Sequence, residues 1–369
     1  MTTTGLARTE MPDELGPRRI GRRLLAMAVV VAALALLVAS GPGLGTIRNR
    51  FAHASPGWVA AGVVLEALSG LSYVLIFRTV FCPRMSWRLS YQLGMAEQGA
   101  NSVLLVNGAG GLALGAWALH RVGIATDFIA RRSVAFFLLT TAANVGALVL
   151  FAALYTLGAL GHDRNPLLTD VFGGLAIGAI GLTVGLALLS GARPTAADEA
   201  ARVPRSAHSG RIARALPFVR DAVTHGARDG LTLAVRRPLG VLLGSLGFMA
   251  FDLTVLVVAF RAFGYSPPFG VLVLGYQLGQ LGGEIPIPGG IGGLDAGLVG
   301  MFAAYHQPLA TTAAAVLVYH AIALWVPALL GSVAFVQLRR VLARDPKPEA
   351  VCAPLSDALE TIRKPRRPA

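Results

Sequence analysis

The sequence predicts an all-α, polytopic membrane helix bundle: six full spans plus two broken or re-entrant helical hairpins, set in inverted-topology repeats. Three observations carry that reading. The chain is 54% hydrophobic and only 14% charged, with a mean hydropathy of +0.63, whereas a soluble domain carries charge at about a quarter of its positions. Its apolar residues gather into runs near the roughly 20 residues that a bilayer core about 30 Å thick requires. Its Lys and Arg residues fall between those runs and favour one side, as cytosolic loops do.

Residues 1–23 form a basic amino-terminal segment ending in Arg18, Arg19, Arg22 and Arg23, assigned to the cytosol. The apolar run Leu24–Ser40 is read as an uncleaved first span; a signal peptide is the alternative. The second span, Trp58–Phe81, returns inward at Arg78, Arg84 and Arg88. The span Ser133–Thr156 starts inside at Arg131 and Arg132 and ends outside near His162–Asp163–Arg164. Leu167–Ser190 then returns to the loop 191–237, whose nine Arg stand against four acids. Leu239–Phe263 runs outward. Ala310–Val336 runs inward to Arg339 and Arg340, and a cytosolic tail, 341–369, follows. Residues 24–340 thus form a single membrane domain. Within the long loop, Ile212, Leu216, Val219 and Val223 recur at helical spacing, and 210–230 reads as an amphipathic helix on the inner surface. The net charge of +13 follows the positive-inside pattern and includes no aromatic-interleaved basic domain, which argues against nucleic acid. No Cys or His cluster suggests a metal, no cofactor is called for, and Cys82 and Cys352, both assigned to the cytosol, are expected to be free of a disulfide.

Two stretches remain. Leu89–His120 must begin and end inside, and Phe269–His306 must begin and end outside. The arms Phe269–Gly283 and Ile291–Tyr305 have 15 residues each and reach about 22 Å, short of a crossing. Re-entrant hairpins and strongly tilted spans both stand as readings.

The halves of the chain match in order. Phe77–Arg78 corresponds to Phe260–Arg261, and Tyr91–Gln92–Leu93–Gly94 to Tyr276–Gln277–Leu278–Gly279. An acid follows each, Glu97 or Glu284. Then Gly110–Gly111–Leu112–Ala113–Leu114–Gly115 answers Gly292–Gly293–Leu294–Asp295–Ala296–Gly297. The shared order reads as a duplication: repeat one over about 58–156, repeat two over about 239–337. The arginines give the repeats opposite orientations, an architecture common among secondary transporters, whose sites lie where broken helices meet.

The sharpest local feature is Glu284–Ile285–Pro286–Ile287–Pro288–Gly289–Gly290–Ile291–Gly292–Gly293–Leu294–Asp295. Two prolines and four glycines cannot continue a membrane helix, and irregular backbone at that depth must be buried in protein or line a cavity. The helix restarting there, and a second one after Gly110 and Gly111, present free N–H groups and positive dipole ends. If the tips meet, they form a seat for an anionic headgroup; tight packing at the glycines is the alternative. Ionisable groups inside apolar stretches default to functional candidates. Glu284, Asp295, Glu97 and His320 are taken as site residues on that ground, while Glu66 and Asp252 are equally open to structural pairing with Arg78 or Arg261.

These segments resemble the transmembrane domain of the lysylphosphatidylglycerol synthase/flippase family. The resemblance rests on Pro286–Ile287–Pro288–Gly289–Gly290–Ile291–Gly292, the acid Asp295, Tyr319–His320 and Trp325–Val326–Pro327, with Arg237–Pro238 and Phe263–Gly264. It spans about Leu24–Arg340. Two positions depart from the family pattern: Asp295 stands where a glutamate is usual, and His320 where an arginine is usual. The first hairpin has Leu114, Gly115 and Ala116 where an acid and an arginine are often found.

The resemblance implies translocation of a phospholipid or lipid-linked molecule across the bilayer, which the arginine pattern reads as an inner membrane with both termini cytosolic. It does not imply aminoacyl transfer, an activity of a separate soluble domain for which no room is expected after Arg340. The alternatives are a non-transporting lipid-binding scaffold or regulator, and a polyprenyl-linked glycosyl- or phosphotransferase, which the lack of a DxD or dense acidic loop disfavours.

Overall fold

The computed structural model describes residues 45–103, 109–121, 124–160, 166–189, 211–284 and 293–344, with Gly21, Arg22, Leu25 and Val29. Those residues form helices and no strand. In chain order the helices are α1 (Gly45–Ala52), α2 (Pro56–Phe81), α3 (Trp87–Val103), α4 (Ala109–Arg121), α5 (Thr126–Thr156) and α6 (Pro166–Leu189). They continue with α7 (Arg211–Arg236), α8 (Pro238–Ala262), α9 (Phe269–Gly279) with a 3₁₀ extension over Gln280–Glu284, α10 (Gly293–Ala304) and α11 (Leu309–Arg344).

Among the described residues α2, α5, α8 and α11 are long and apolar enough to cross a membrane, four of the six expected spans. A fifth, α6, carries the apolar stretch Thr169–Gly185, and the expected span Leu24–Ser40 lies outside the described residues apart from Leu25 and Val29. Local chemistry sets the starts of α2 and α8: each opens on a proline at its first turn, where the missing N–H has no intrahelical partner to lose. α5 begins seven residues earlier than expected. Arg131 and Arg132 are therefore helical, with the Arg132 guanidinium 5.0 Å from the Phe128 ring and 3.6 Å from Asp229 of α7.

The spans pack through glycines, as membrane helices do where backbones approach closely. α2 and α8 run antiparallel: Gly240 abuts Thr79, Gly244 abuts Ile76, Gly247 abuts Ser72, and Gly62 abuts Val255 and Val258. Ser69 Oγ donates to the Phe248 carbonyl at 3.1 Å across the same contact. α3 crosses α11 where Gly99 meets Gly331; a Cβ on Gly331 would lie 2.5 Å from the Gly99 Cα.

α3 and α4 form one hairpin, α9 and α10 another. In the first, a Cβ on Gly111 would strike the Glu97 carbonyl, and one on Gly115 would strike the Glu97 carboxyl. In the second, Gly297 lies on the Gly279 carbonyl and Gly282 on the Gly293 carbonyl. At about 1.5 Å per residue the 13-residue α4, the 11-residue α9 and the 12-residue α10 each fall short of a bilayer core.

The hairpins occupy opposite ends. One apolar core joins Phe77, Phe81 and Met85 to Leu114 and Leu119 of α4, Ile129 of α5, Leu233 of α7, Val241 of α8 and Leu338 and Leu342 of α11. The other joins Leu256 and Phe260 of α8 to Val271 and Leu274 of α9, Leu298 and Phe302 of α10 and Val316 and Tyr319 of α11. Arg78, Arg131, Arg132, Arg236 and Arg339 belong to the end that holds the first core.

Two expectations change. The amphipathic helix in the long loop exists, extends to Arg236, and rests on α5 through Ala222, Gly226, Ala227 and Gly230, with Gly226 against Val134 and the Arg131 carbonyl. Val219 and Val223 of its predicted apolar stripe are exposed; small residues make the protein contact because they admit the closer approach. Cys82 is disulfide-bonded, contrary to the expectation from a reducing compartment, and the chain's second cysteine, Cys352, lies outside the described residues.

Candidate functional site

A cavity of about 590 Å³ opens between α2, α3, α5, α8, α9, α10 and α11. The ends of both hairpins reach it: Gln98, Asn101 and Ser102 from α3, Gln280 and Leu281 after α9, and Leu294 of α10. Phe137 and Leu281, both exposed, stand at its mouth. Its floor is polar.

The antiparallel register of α2 and α8 sets Glu66 opposite Asp252, each near the middle of its helix. Their carboxyl groups contact one another. Asp252 Oδ2 accepts hydrogen bonds from the Tyr276 hydroxyl and, at 2.9 Å, from the Tyr319 hydroxyl. Gln280 Nε2 in turn donates to the Tyr319 oxygen at 3.1 Å. Two ionised carboxylates in contact repel by several kcal/mol, on the order of 4 at an effective dielectric of about 20. The tyrosine donors stabilise negative charge on Asp252 but leave Glu66 unaided. Glu66 Oε2 is buried with no hydrogen-bond partner in the protein, as are Gln98 Oε1 and Asn144 Oδ1 on the same walls. Pro327 inside α11 has no N–H, so the Ala323 carbonyl lacks its usual helical donor; both residues line the cavity. Among the described lining residues the polar groups are carboxyls, amides, hydroxyls and the His320 ring, with no Lys or Arg.

Glu66 and Asp252 do not form the ion pairs left open by the sequence. The Arg78 Nε donates to the Met85 carbonyl at 2.8 Å and its guanidinium stacks over Trp87, while Arg261 lies over Trp58. Both arginines sit at helix ends, too far along the axis to reach mid-helix acids.

The other predicted residues distribute as follows. Asp295, in the first turn of α10, meets His320 of α11 at 2.6 Å, Oδ1 to Nδ1. These are the two positions that depart from the family pattern, and they fall on one contact, a shorter acid facing a shorter base. His320 lines the cavity and Asp295 stands behind it. Glu97 does not line the cavity. It accepts from the Tyr73 hydroxyl at 3.3 Å and fills the space above Gly115, where the first hairpin has no side chain of its own.

Gly111 donates its N–H to Asn101 Oδ1 at 2.8 Å, so one of the N–H groups expected to face an anion is capped by a side chain. Gly110 is half-buried beside it, and Gly293 is buried against Gly282. Glu284 ends the 3₁₀ segment. Pro286, Pro288, Gly289, Gly290 and Gly292 lie outside the described residues.

Sequence alone does not mark Tyr276, Tyr319 and Gln280 as site residues, although Tyr276 opens a repeated Tyr-Gln-Leu-Gly and Tyr319 precedes His320. The repeat also held a clue to the acid pair. Glu66 lies eleven residues before Phe77 and Asp252 eight before Phe260, so the two acids stand about one turn apart when the halves are superposed.

The chain has no significant match among curated proteins. The family model for the lysylphosphatidylglycerol synthase TM region matches residues 23–331, a stretch that contains α1 to α10 and the part of α11 that bears Tyr319, His320 and Pro327. The chain belongs to the lysylphosphatidylglycerol synthase transmembrane family, as a multi-pass membrane protein.

Proposed function

We propose that the protein translocates a phospholipid or lipid-linked molecule across the inner membrane, its Arg-rich end and both termini facing the cytosol. The observation that carries this reading is the cavity: polar at the centre of helices long enough to span a bilayer, reached by both hairpins, and flanked at its mouth by exposed Phe137 and Leu281. Such a shape receives a headgroup while acyl chains stay in lipid, which lowers the desolvation penalty of moving a polar group through hydrocarbon.

Inverted-topology repeats fit the packing. α2 and α8 cross antiparallel near their middles. The first hairpin packs on the last span of the second half, α3 on α11, and the second hairpin on the last span of the first half, α9 on α5. The hairpins lie at opposite ends, an arrangement that suits alternating access about a fixed site.

The walls refine the headgroup. With two carboxyls and no Lys or Arg among the described lining residues, the cavity suits a headgroup bearing hydrogen-bond donors. An anionic headgroup without donors fits the walls less well than the helix ends alone imply.

The test is reconstitution into liposomes carrying a fluorescent phospholipid, with an impermeant quencher outside. Quenching beyond the outer-leaflet share is expected for the wild type. In Asn144→Leu, which places an apolar side chain on the wall, the rate falls about tenfold, the effect of roughly 1.4 kcal/mol on a barrier. Equal quenching in wild type, variant and protein-free vesicles, with donor-bearing and anionic headgroups alike, would reject translocation.

A further inference from the structure

Glu66 is 4% exposed, lines the cavity, and its Oε2 has no hydrogen-bond partner in the protein. The group it faces is another carboxyl, that of Asp252. Two acceptor oxygens in contact need something between them. A proton satisfies both: one carboxyl becomes a donor and the other remains an acceptor.

The groups around the pair leave that role open. From α9 and α11 the Tyr276 and Tyr319 hydroxyls both donate to Asp252, so neither supplies Glu66. The 3₁₀ segment contributes Gln280, bonded to Tyr319. From α3 comes Gln98, and Glu97 is engaged with Tyr73 of α2. His320 of α11 is turned to Asp295 of α10. The α5 wall contributes Phe137, Thr141, Asn144, Val145 and Leu148, with no titratable group.

We propose that the Glu66–Asp252 pair is a proton-binding site at the centre of the membrane domain, and that the proton it holds is carried in exchange with the cavity water during translocation. The proton arrives from water admitted to the cavity and returns to water; only an O–H bond forms and breaks. With the proton bound, the contact between α2 and α8 holds one hydrogen bond. Without it, two like charges face each other across that contact, which favours separating the helices. The coupling half of this inference rests on the translocation reading; the proton site itself does not.

The experiment is infrared difference spectroscopy of the full chain in nanodiscs across a pH titration. Wild type is expected to show a protonated-carboxyl band at neutral pH that is lost in both Glu66→Gln and Asp252→Asn, with unchanged helical content by circular dichroism. An identical band in the wild type and both variants would overturn the site, as would a band abolished by sodium at constant pH, which would make it a sodium site. In liposomes, an imposed pH gradient should change the wild-type lipid rate several-fold and leave Glu66→Gln unresponsive. A wild-type rate indifferent to the gradient would overturn the coupling. Absence of lipid movement under every gradient, with the infrared band present, would discard translocation and keep the proton site.

Discussion

The Asp295–His320 contact joins the tip of the second hairpin to the last span, and its 2.6 Å separation ties two short side chains together. Asp295 and His320 are the two departures from the pattern that the sequence resembles, and they touch each other. A longer side chain at one position alone must displace its partner, so the effects of the two positions are coupled. Residues in direct contact couple by about 0.5–3 kcal/mol. Asp295→Glu and His320→Arg should each lower thermal stability in detergent, and the double variant should recover most of the loss. A double-mutant cycle checks this, and strict additivity would count against a paired substitution. The candidate acids were legible as residues, because charge inside an apolar run is conspicuous. Their partners were not, since a sequence does not say which mid-helix groups share a depth and a direction.

At the scale of the element, glycine placement decides which helices touch. Gly240 and Gly244 repeat at a spacing of four on α8 and receive Thr79 and Ile76 of α2, whereas Leu239, Leu242 and Leu243 on the other face are exposed. A Cβ on Gly244 would lie 2.6 Å from the Ile76 Cβ and 2.9 Å from its backbone nitrogen. Gly244→Leu should therefore destabilise by about 1–3 kcal/mol or more, as overpacking does. Leu243→Ala, facing lipid, should stay within about 0.5 kcal/mol. Thermal unfolding in detergent compares them, and equal effects would mean that α2 and α8 do not pack this way. The helices themselves were readable from apolar runs, basic ends and prolines. The start of α5 was not: the seven residues Thr126–Arg132 before the expected start are helical, with Ile129 buried in the first core and Arg132 beside Asp229 of α7.

Across the whole molecule, the basic ends of α2, α5, α7 and α11 converge on one apolar core, and the second hairpin sits in the other. This gathers onto one end what the arginine pattern assigned to one side. In a chain with Cys82 and Cys352 replaced by serine, a cysteine at exposed Arg228 should react with an impermeant maleimide only from the cytosolic side. One at exposed Leu157 should react only from the opposite side. Labelling of both from the same side would refute the topology on which the two-ended arrangement of hairpins depends.

The sequence by itself determined the solvent, the helical class, four of the spans and the family, because each follows from local properties: run length, charge at run ends, and short motifs. It also marked the short hairpin arms, whose length is a local quantity. Tertiary structure alone decided that Glu66 faces Asp252, that Tyr276 and Tyr319 converge on the same oxygen, and that Asp295 meets His320. Those contacts depend on helix register and crossing, which glycine contacts far apart in the chain set jointly and no single segment encodes.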